Sequence, residues 1–555
     1  MLRNRRTFSS GVQSLTQNKG LADGVSLLLS LATVVKRSPC VDVLTRIGHS
    51  IAPNPLNSTP EEAASKEPTP MSERINTESS SQNAQYQPTT PIVAKPAVTL
   101  PPPPHNANLT PSSVPSSRMS RLFQYSSLAV GVSLGAVSES LKRSVSFDAE
   151  SNSSSSLVLS PSNIERIVAR LSRMRGAALK LGQMLSIQDS NMLPKEFEHI
   201  LMRVQNAANY MPDGQLMKVM NAELGPEWQQ DRFITFDTTP FAAASIGQVH
   251  YATIRPPTSS AAQSSNQSDQ PPLAVAVKIQ YPGVATSIES DISYLRSLTL
   301  MTSILPRGMY LDNTLRVAKM ELSWECDYIR EAESMRRMRT LVAGMRGVNV
   351  PQVIDSLSTE KVITSEFVQG VPIGSIDDIG ARMLKLCLEQ LFTFRFMQTD
   401  PNWSNFLYNK ESDTIQLLDF GAAREFPETF TKPYLKLLKA ASTRDRAGSI
   451  KYSEELGFLT GLESETMINA HLNSLFLLAS PFDPARKGTP FNFSNQNITS
   501  SVRADIPVML RERLTPPPDE SYSLHRSLSG SFLLCSRIGA RVDCASLFAE
   551  YAARV

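Results

Sequence analysis

With 555 residues, 41% apolar and 19% charged, the chain has an ordinary globular composition and is long enough for more than one domain. A net charge of +3 says little about partners, and no long basic block points to nucleic acid. The five cysteines (Cys40, Cys326, Cys387, Cys535, Cys544) form no C-x-x-C pair and the histidines no H-E-x-x-H spacing, which argues against a disulfide framework or a zinc site.

Residues 1–22 carry Arg3, Arg5, Arg6 and Lys19, many hydroxyl residues and no acid. That composition predicts a mitochondrial transit peptide. Residues 23–117 are predicted to be a disordered Pro/Ser-rich linker, with Pro101 to Pro104 in a row. Such a stretch buries too little apolar surface to offset its ordering entropy. Leu122 to Leu141 follows, bracketed by Arg118, Arg121, Lys142 and Arg143 and holding Glu139 as its one internal charge. Residues 118–145 are therefore expected to be a membrane-associated helix, at the short end of the roughly 17–25 residues a span needs. Whether it crosses the bilayer or lies on it stays open. Ser127, Gly131 and Gly135 at four-residue spacing would suit close approach of a second helix and a homodimer.

From residue 160 the chain reads as folded. Ser162-x-x-Glu165 is a capping box, followed by Ile164, Ile167, Val168, Leu171, Met174, Ala178, Leu181 and Leu185 at helical spacing. Residues 160–232 thus form a helical extension, interrupted by Lys180-Leu-Gly182-Gln183, where a mid-helix glycine points to close approach of another backbone. Strand signals occupy Phe233 to Thr253 and Leu273 to Ile279, with a Pro/Ser/Gln-rich insertion at 254–272 read as a disordered loop tip. Helical patterns dominate from Ser287, broken by short strand runs at 361–368 and 404–419. Strands early and helices late predict an α+β chain, with a sheet lobe over 233–368 and a helical lobe over 369–555.

The strongest spacing is Asp400-Pro-Asn-Trp-Ser-Asn405, then a strand, a polar turn and a return strand ending at Asp419-Phe-Gly421. A hairpin of that length brings Asn405 and Asp419 to one end, where both could hold one Mg²⁺ while Asp400 orients or deprotonates the attacking group. Upstream, Leu273-Ala-Val-Ala-Val-Lys278 looks like the strand whose lysine meets the α- and β-phosphates of ATP. Asn313 to Val342 has a helical period in which Glu331 shares a face with Trp324, Tyr328, Met335 and Met338. A carboxylate there wants a cation, and Lys278 is the natural one. Before the lysine strand, Ala242, Ala243, Ala244 and Ser245 precede Gly247 where a kinase has a glycine-rich turn, so the loop should be stiff and grip phosphates differently.

Together these motifs resemble the UbiB family of atypical kinase-like proteins, specifically its mitochondrial members required for coenzyme Q (ubiquinone) biosynthesis. The matching stretches are Lys180 to Asp189, Ala242 to His250, Glu325-Cys-Asp-Tyr-Ile-Arg-Glu-Ala332, the Asp400 and Asp419 motifs, and Leu514 to Arg526. The resemblance implies a protein-kinase-like two-lobed fold with an N-terminal helical extension packed on the cleft. Lys180, Gly182 and Gln183 would meet Glu325 and Asp327 there and obstruct a protein substrate. It implies ATP and Mg²⁺ as cofactors, an adenine-contacting hinge at Ser365, Glu366, Phe367 and Val368, and ATPase-like activity favoured over protein phosphorylation. Its expected setting is the matrix face of the mitochondrial inner membrane, with ubiquinone biosynthetic proteins, anionic lipids such as cardiolipin and hydrophobic quinone precursors as partners. A lipid or small-molecule kinase and a nucleotide-binding scaffold remain the competing readings. Gln398-Thr399 stands where His-Arg precedes the kinase aspartate, and no A-P-E follows Gly421, so little is left to cradle a peptide.

Overall fold

The structure is a computed structural model that describes residues 110–115, 117–145, 161–174, 203, 209–256, 271–302, 311–373, 379–400, 402–495 and 498–555. The transit-peptide segment, most of the linker, Lys180 to Gln183 and the core of the 254–272 insertion lie outside them.

The described chain opens with strand β1 (Thr110–Pro111), helix α1 (Arg118–Val145), helix α2 (Pro161–Met174) and strand β2 (Asn209–Tyr210), with β2 parallel to β1. Helix α1 forms where the sequence places it, but its glycines serve another purpose than the one read from their spacing. A β-carbon on Gly135 would stand 2.0 Å from Asn163 Oδ1, so the small-residue face is covered by α2 of the same chain. Asn163 donates to the Val132 carbonyl (3.1 Å) and Arg166 to that of Gly131 (3.1 Å). Arg121 is buried and paired with Asp291 at 2.6 Å. Burial pushes the Asp291 carboxyl up to about 6 against the pull of Arg121. Among the described residues no helix is long and apolar enough to cross a membrane. A face carrying Met119, Phe123, Val130 and Leu134 is nevertheless exposed.

Helices α3 (Asp213–Leu224) and α4 (Trp228–Arg232) lead into a five-stranded antiparallel sheet: β3 (Thr235–Phe236), β4 (Ala242–Ala243), β5 (Gly247–Ile254), β6 (Leu273–Gln280) and, after three helices and β7 (Val348–Asn349), β8 (Val362–Glu366). Ile254 pairs with Leu273, so the insertion sits at the tip of the β5–β6 hairpin. The period of two in β6 sorts its side chains between the two faces of the sheet. Val275, Val277 and Ile279 are wholly buried on one face, and Lys278 is turned to the other.

Helix α5 (Val284–Thr302) packs on α1. The helical run expected from Asn313 to Val342 is in fact two helices, α6 (Leu311–Glu325) and α7 (Tyr328–Val342). The break has a local cause: Asp327 caps α7, its carboxylate accepting from Arg330 N–H at 3.0 Å.

Beyond strand β9 (Val371–Pro372) lie α8 (Ile379–Phe392), β10 (Phe396–Gln398), the hairpin β11 (Phe406–Asn409) and β12 (Thr414–Leu417), and β13 (Ala423–Glu425). Helices α9 (Glu428–Ser442), α10 (Arg446–Glu455), α11 (Glu465–Ala479), α12 (Ile498–Glu512), α13 (Asp519–Arg537) and α14 (Cys544–Ala552) complete the second lobe. Its core gathers Leu384, Leu388, Tyr434, Leu438, Phe482 and Phe532. The four described cysteines are unpaired and buried. A sheet lobe followed by a helical lobe is the α+β arrangement expected.

Candidate active site

Four elements converge between the lobes. Strand β6 presents Lys278, whose Nζ donates to Glu331 Oε1 at 2.7 Å and to Asp419 Oδ2 at 3.1 Å. Glu331 comes from the first turns of α7, and Asp419 follows β12. Burial works against the Lys278 ammonium, but Asp419 and Glu331 outweigh it and hold its pKa well above the ordinary value. For Glu331 burial wins, pushing the carboxyl up to about 7 against the attraction of Lys278. Its second oxygen has no hydrogen-bond partner.

The β11–β12 hairpin brings Asn405 and Asp419 to its base. Phe406 pairs with Leu417, and Leu418 N–H donates to the Asn405 carbonyl at 3.0 Å. Asn405 is nine-tenths buried, yet its side-chain Nδ2 finds no partner. Asp419 Oδ1 accepts from Gly421 N–H at 3.0 Å. A carboxylate and an amide, both hard oxygen donors, fit Mg²⁺, which favours few protein ligands beside phosphate and water. No cluster of three or more His, Cys, Asp or Glu among the described residues could hold a metal by itself.

Asp400 sits before this hairpin, its Oδ1 accepting from Asn402 N–H at 3.2 Å. Gln398 and Thr399, where a kinase has His-Arg, are tied inward: Gln398 Nε2 donates to the Asp400 carbonyl (2.7 Å) and Thr399 Oγ1 to that of Ala422 (2.7 Å).

The alanine loop is a tight hairpin. Ala242 pairs with Val249, Ala243 with Gln248, and Ala244 N–H donates to the Gly247 carbonyl at 2.8 Å, with Ser245 at the turn. None of these residues has a positive φ, so alanine incurs no backbone strain. Gly247 is needed for closeness instead: a β-carbon there would lie 2.5 Å from the Ile279 carbonyl oxygen and 2.7 Å from the Tyr328 hydroxyl. At the far end of the sheet, Ser365 pairs with Ala276 and Glu366 with Val275, and Phe367 N–H donates to the Ala274 carbonyl at 2.9 Å. The Phe367 ring packs edge-on against Phe241 and Tyr251, and Val368 follows as the chain leaves the sheet.

Glu325 and Asp327 part company here. Glu325 is buried, with its Cγ 3.3 Å from where a β-carbon on Gly421 would stand, while Asp327 is exposed and engaged as the α7 cap.

Sequence reasoning missed two residues. Arg526 of α13 donates twice to Glu321 of α6 and once to the Thr399 carbonyl (3.3 Å), which anchors the residue before Asp400. Arg330 of α7 donates to the Gly421 carbonyl at 3.0 Å and to that of Ala423. Both lie in stretches that carried the family resemblance, but neither local sequence names a partner.

Residues 203–453 match the ABC1 atypical kinase-like domain. The chain is 47% identical over 452 residues to "Atypical kinase COQ8, mitochondrial" of Saccharomyces cerevisiae, covering 80% of this chain and 86% of that one. It is 45% identical over 449 residues to "Atypical kinase COQ8B, mitochondrial" of Danio rerio, covering 79% and 69%. Against "Atypical kinase COQ8, mitochondrial" of Schizosaccharomyces pombe the identity is 45% over 447 residues, covering 79% and 70%.

Proposed function

The chain belongs to the ABC1 family of atypical kinase-like proteins, and from that premise we propose that it binds Mg-ATP and uses phosphoryl transfer to support mitochondrial coenzyme Q biosynthesis. The observation that carries this reading is Lys278 reaching both Glu331 and Asp419 at hydrogen-bond distance. In kinases that lysine–glutamate pair and that aspartate must be in place together before phosphates are aligned.

Lys278 holds the α- and β-phosphates while Glu331 fixes the direction of its ammonium. Asn405 and Asp419 hold Mg²⁺, which when bound neutralises phosphate charge and aligns the terminal phosphate. Asp400 orients the attacking hydroxyl or water. Ala242, Ala243, Ala244, Ser245 and Gly247 cover the phosphates, and Ser365 to Val368 meet adenine. Lys180, Gly182 and Gln183 lie outside the described residues, and a regulatory role for them, with Glu325 and Asp327, is proposed on the family resemblance alone.

The acceptor is water or a small lipophilic molecule rather than a peptide. After Gly421 the chain enters β13 directly, pairs with β10, and continues through buried Phe426 into α9, leaving no free segment to cradle a peptide. The exposed apolar face of α1 supports contact with a membrane surface, and anionic lipids are proposed there on the family resemblance.

Thermal shift and calorimetry with Mg-ATP and Mg-ADP test the reading, together with phosphate release measured with and without anionic liposomes. Saturable binding and release lost in Asp419→Asn are expected. A folded protein that binds neither nucleotide would end the proposal. Label passing from γ-labelled ATP into a lipid would identify a lipid kinase, and an Asp419→Asn protein that still supports quinone synthesis would identify a scaffold.

A further inference from the structure

We propose that Arg330 is a positioning residue that pins the chain after Gly421, so that Asp419 is held ready as a metal ligand without a phosphorylated activation segment. The inference rests on the nucleotide reading above and names a control element within that site.

The carbonyls of Gly421, Ala422 and Ala423 are each taken by a side chain. Arg330 Nη1 donates to Gly421 O at 3.0 Å, Thr399 Oγ1 to Ala422 O at 2.7 Å, and Arg330 Nη2 to Ala423 O. Phe420, Ala422 and Ala423 are buried, so an unmet carbonyl there would be destabilising. The guanidinium, with several donors in a rigid fork, suits a pair of main-chain oxygens better than an ammonium would. It also lies 4.7 Å from the centre of the Trp324 ring, at the end of α6.

Helical geometry explains why this arginine couples two parts of the site. Residues 330 and 331 are successive on α7 and point about 100° apart. Glu331 therefore reaches Lys278 while Arg330 reaches the segment after Asp419, both in a frame fixed by the Asp327 cap. In ordinary kinases, activation-loop phosphate–arginine pairs order this segment. Here the ordering group is an arginine on the neighbouring helix, the bonds go to main chain, and β13 is locked to β10 from Gln398↔Ala423 to Phe396↔Glu425.

The test compares full-length protein with Arg330→Gln, Arg330→Lys and Thr399→Val. Hydrogen–deuterium exchange of residues 419–425 without nucleotide is read first. Roughly tenfold faster exchange is expected for Arg330→Gln, and smaller increases for Arg330→Lys and Thr399→Val. ATP affinity is then measured with and without Mg²⁺. The Mg²⁺-dependent tightening should fall roughly tenfold in Arg330→Gln, while Mg²⁺-free affinity stays within about twofold. Wild-type exchange and wild-type Mg²⁺ dependence in a folded Arg330→Gln protein would overturn the proposal. If that variant does not fold, wild-type values in both Arg330→Lys and Thr399→Val do the same. Parent protein that binds no nucleotide sinks the functional reading itself; binding parent with unaffected variants sinks only the role of Arg330.

Discussion

Arg526 holds Glu321 through two hydrogen bonds of 2.9 Å, and neither side chain reaches solvent. The pair joins α13 of the helical lobe to α6, and the same guanidinium bonds the carbonyl of Thr399, one residue before Asp400. A single guanidinium therefore anchors both the contact between α13 and α6 and the main chain just before Asp400.

Removing one partner should be costly. Glu321→Gln leaves a buried guanidinium without its counter-charge, and a loss of about 3–5 kcal/mol is expected in chemical denaturation. Glu321→Leu with Arg526→Met should recover most of that stability yet still slow phosphate release, because Thr399 loses its anchor. A double variant as unstable as the single one would refute the ion-pair account.

Glu331 sets a pH dependence. With its carboxyl raised from an ordinary 4.5 to about 7 by burial, the ion pair with Lys278 fades as pH falls through 7. The kcat/KM for ATP should drop roughly tenfold per pH unit below that point, and Glu331→Gln should abolish the limb along with most of the activity. Stability moves the opposite way. The folded state holds this proton more tightly than the unfolded one, so the stabilising contribution is full below pH 4.5 and is lost as pH rises through about 7.

Gly247→Ala tests the closeness of the loop. The new methyl would press on the Ile279 carbonyl, a main-chain atom that moves only with its strand, and on the Tyr328 hydroxyl. A loss of about 1–3 kcal/mol is expected, with weaker ATP binding because Ile279 adjoins Lys278. Adding Tyr328→Phe should restore only part, since the carbonyl remains; full restoration would assign the whole clash to the hydroxyl.

The exposed face of α1 makes a separable prediction. Phe123→Ser with Leu134→Ser should weaken binding to anionic vesicles at least roughly tenfold, from the apolar area lost to the bilayer. Melting should barely change, because both side chains are more than half exposed (70% and 59%). Unchanged vesicle binding would remove α1 from the membrane-facing surface.

Much of the site was legible because its determinants are local. The alternation of Leu273 to Ile279 decides which way Lys278 points, and the hairpin length between Asn405 and Asp419 decides that both stand at its base. The Asp327 cap is equally local, yet the helical period runs through it from Asn313 to Val342 and hides the break. Other relationships had no such signal. Gly131 and Gly135 advertise a close neighbour, but only packing chose α2 of the same chain over a second copy. Nothing near Arg526 or Arg330 says that one faces Glu321 across 205 residues and the other the carbonyls after Asp419. Periodicity and turn length act through neighbouring dihedral angles and are written in consecutive residues. The partner of a buried charge is selected by the docking of helices from distant parts of the chain, which no short stretch encodes.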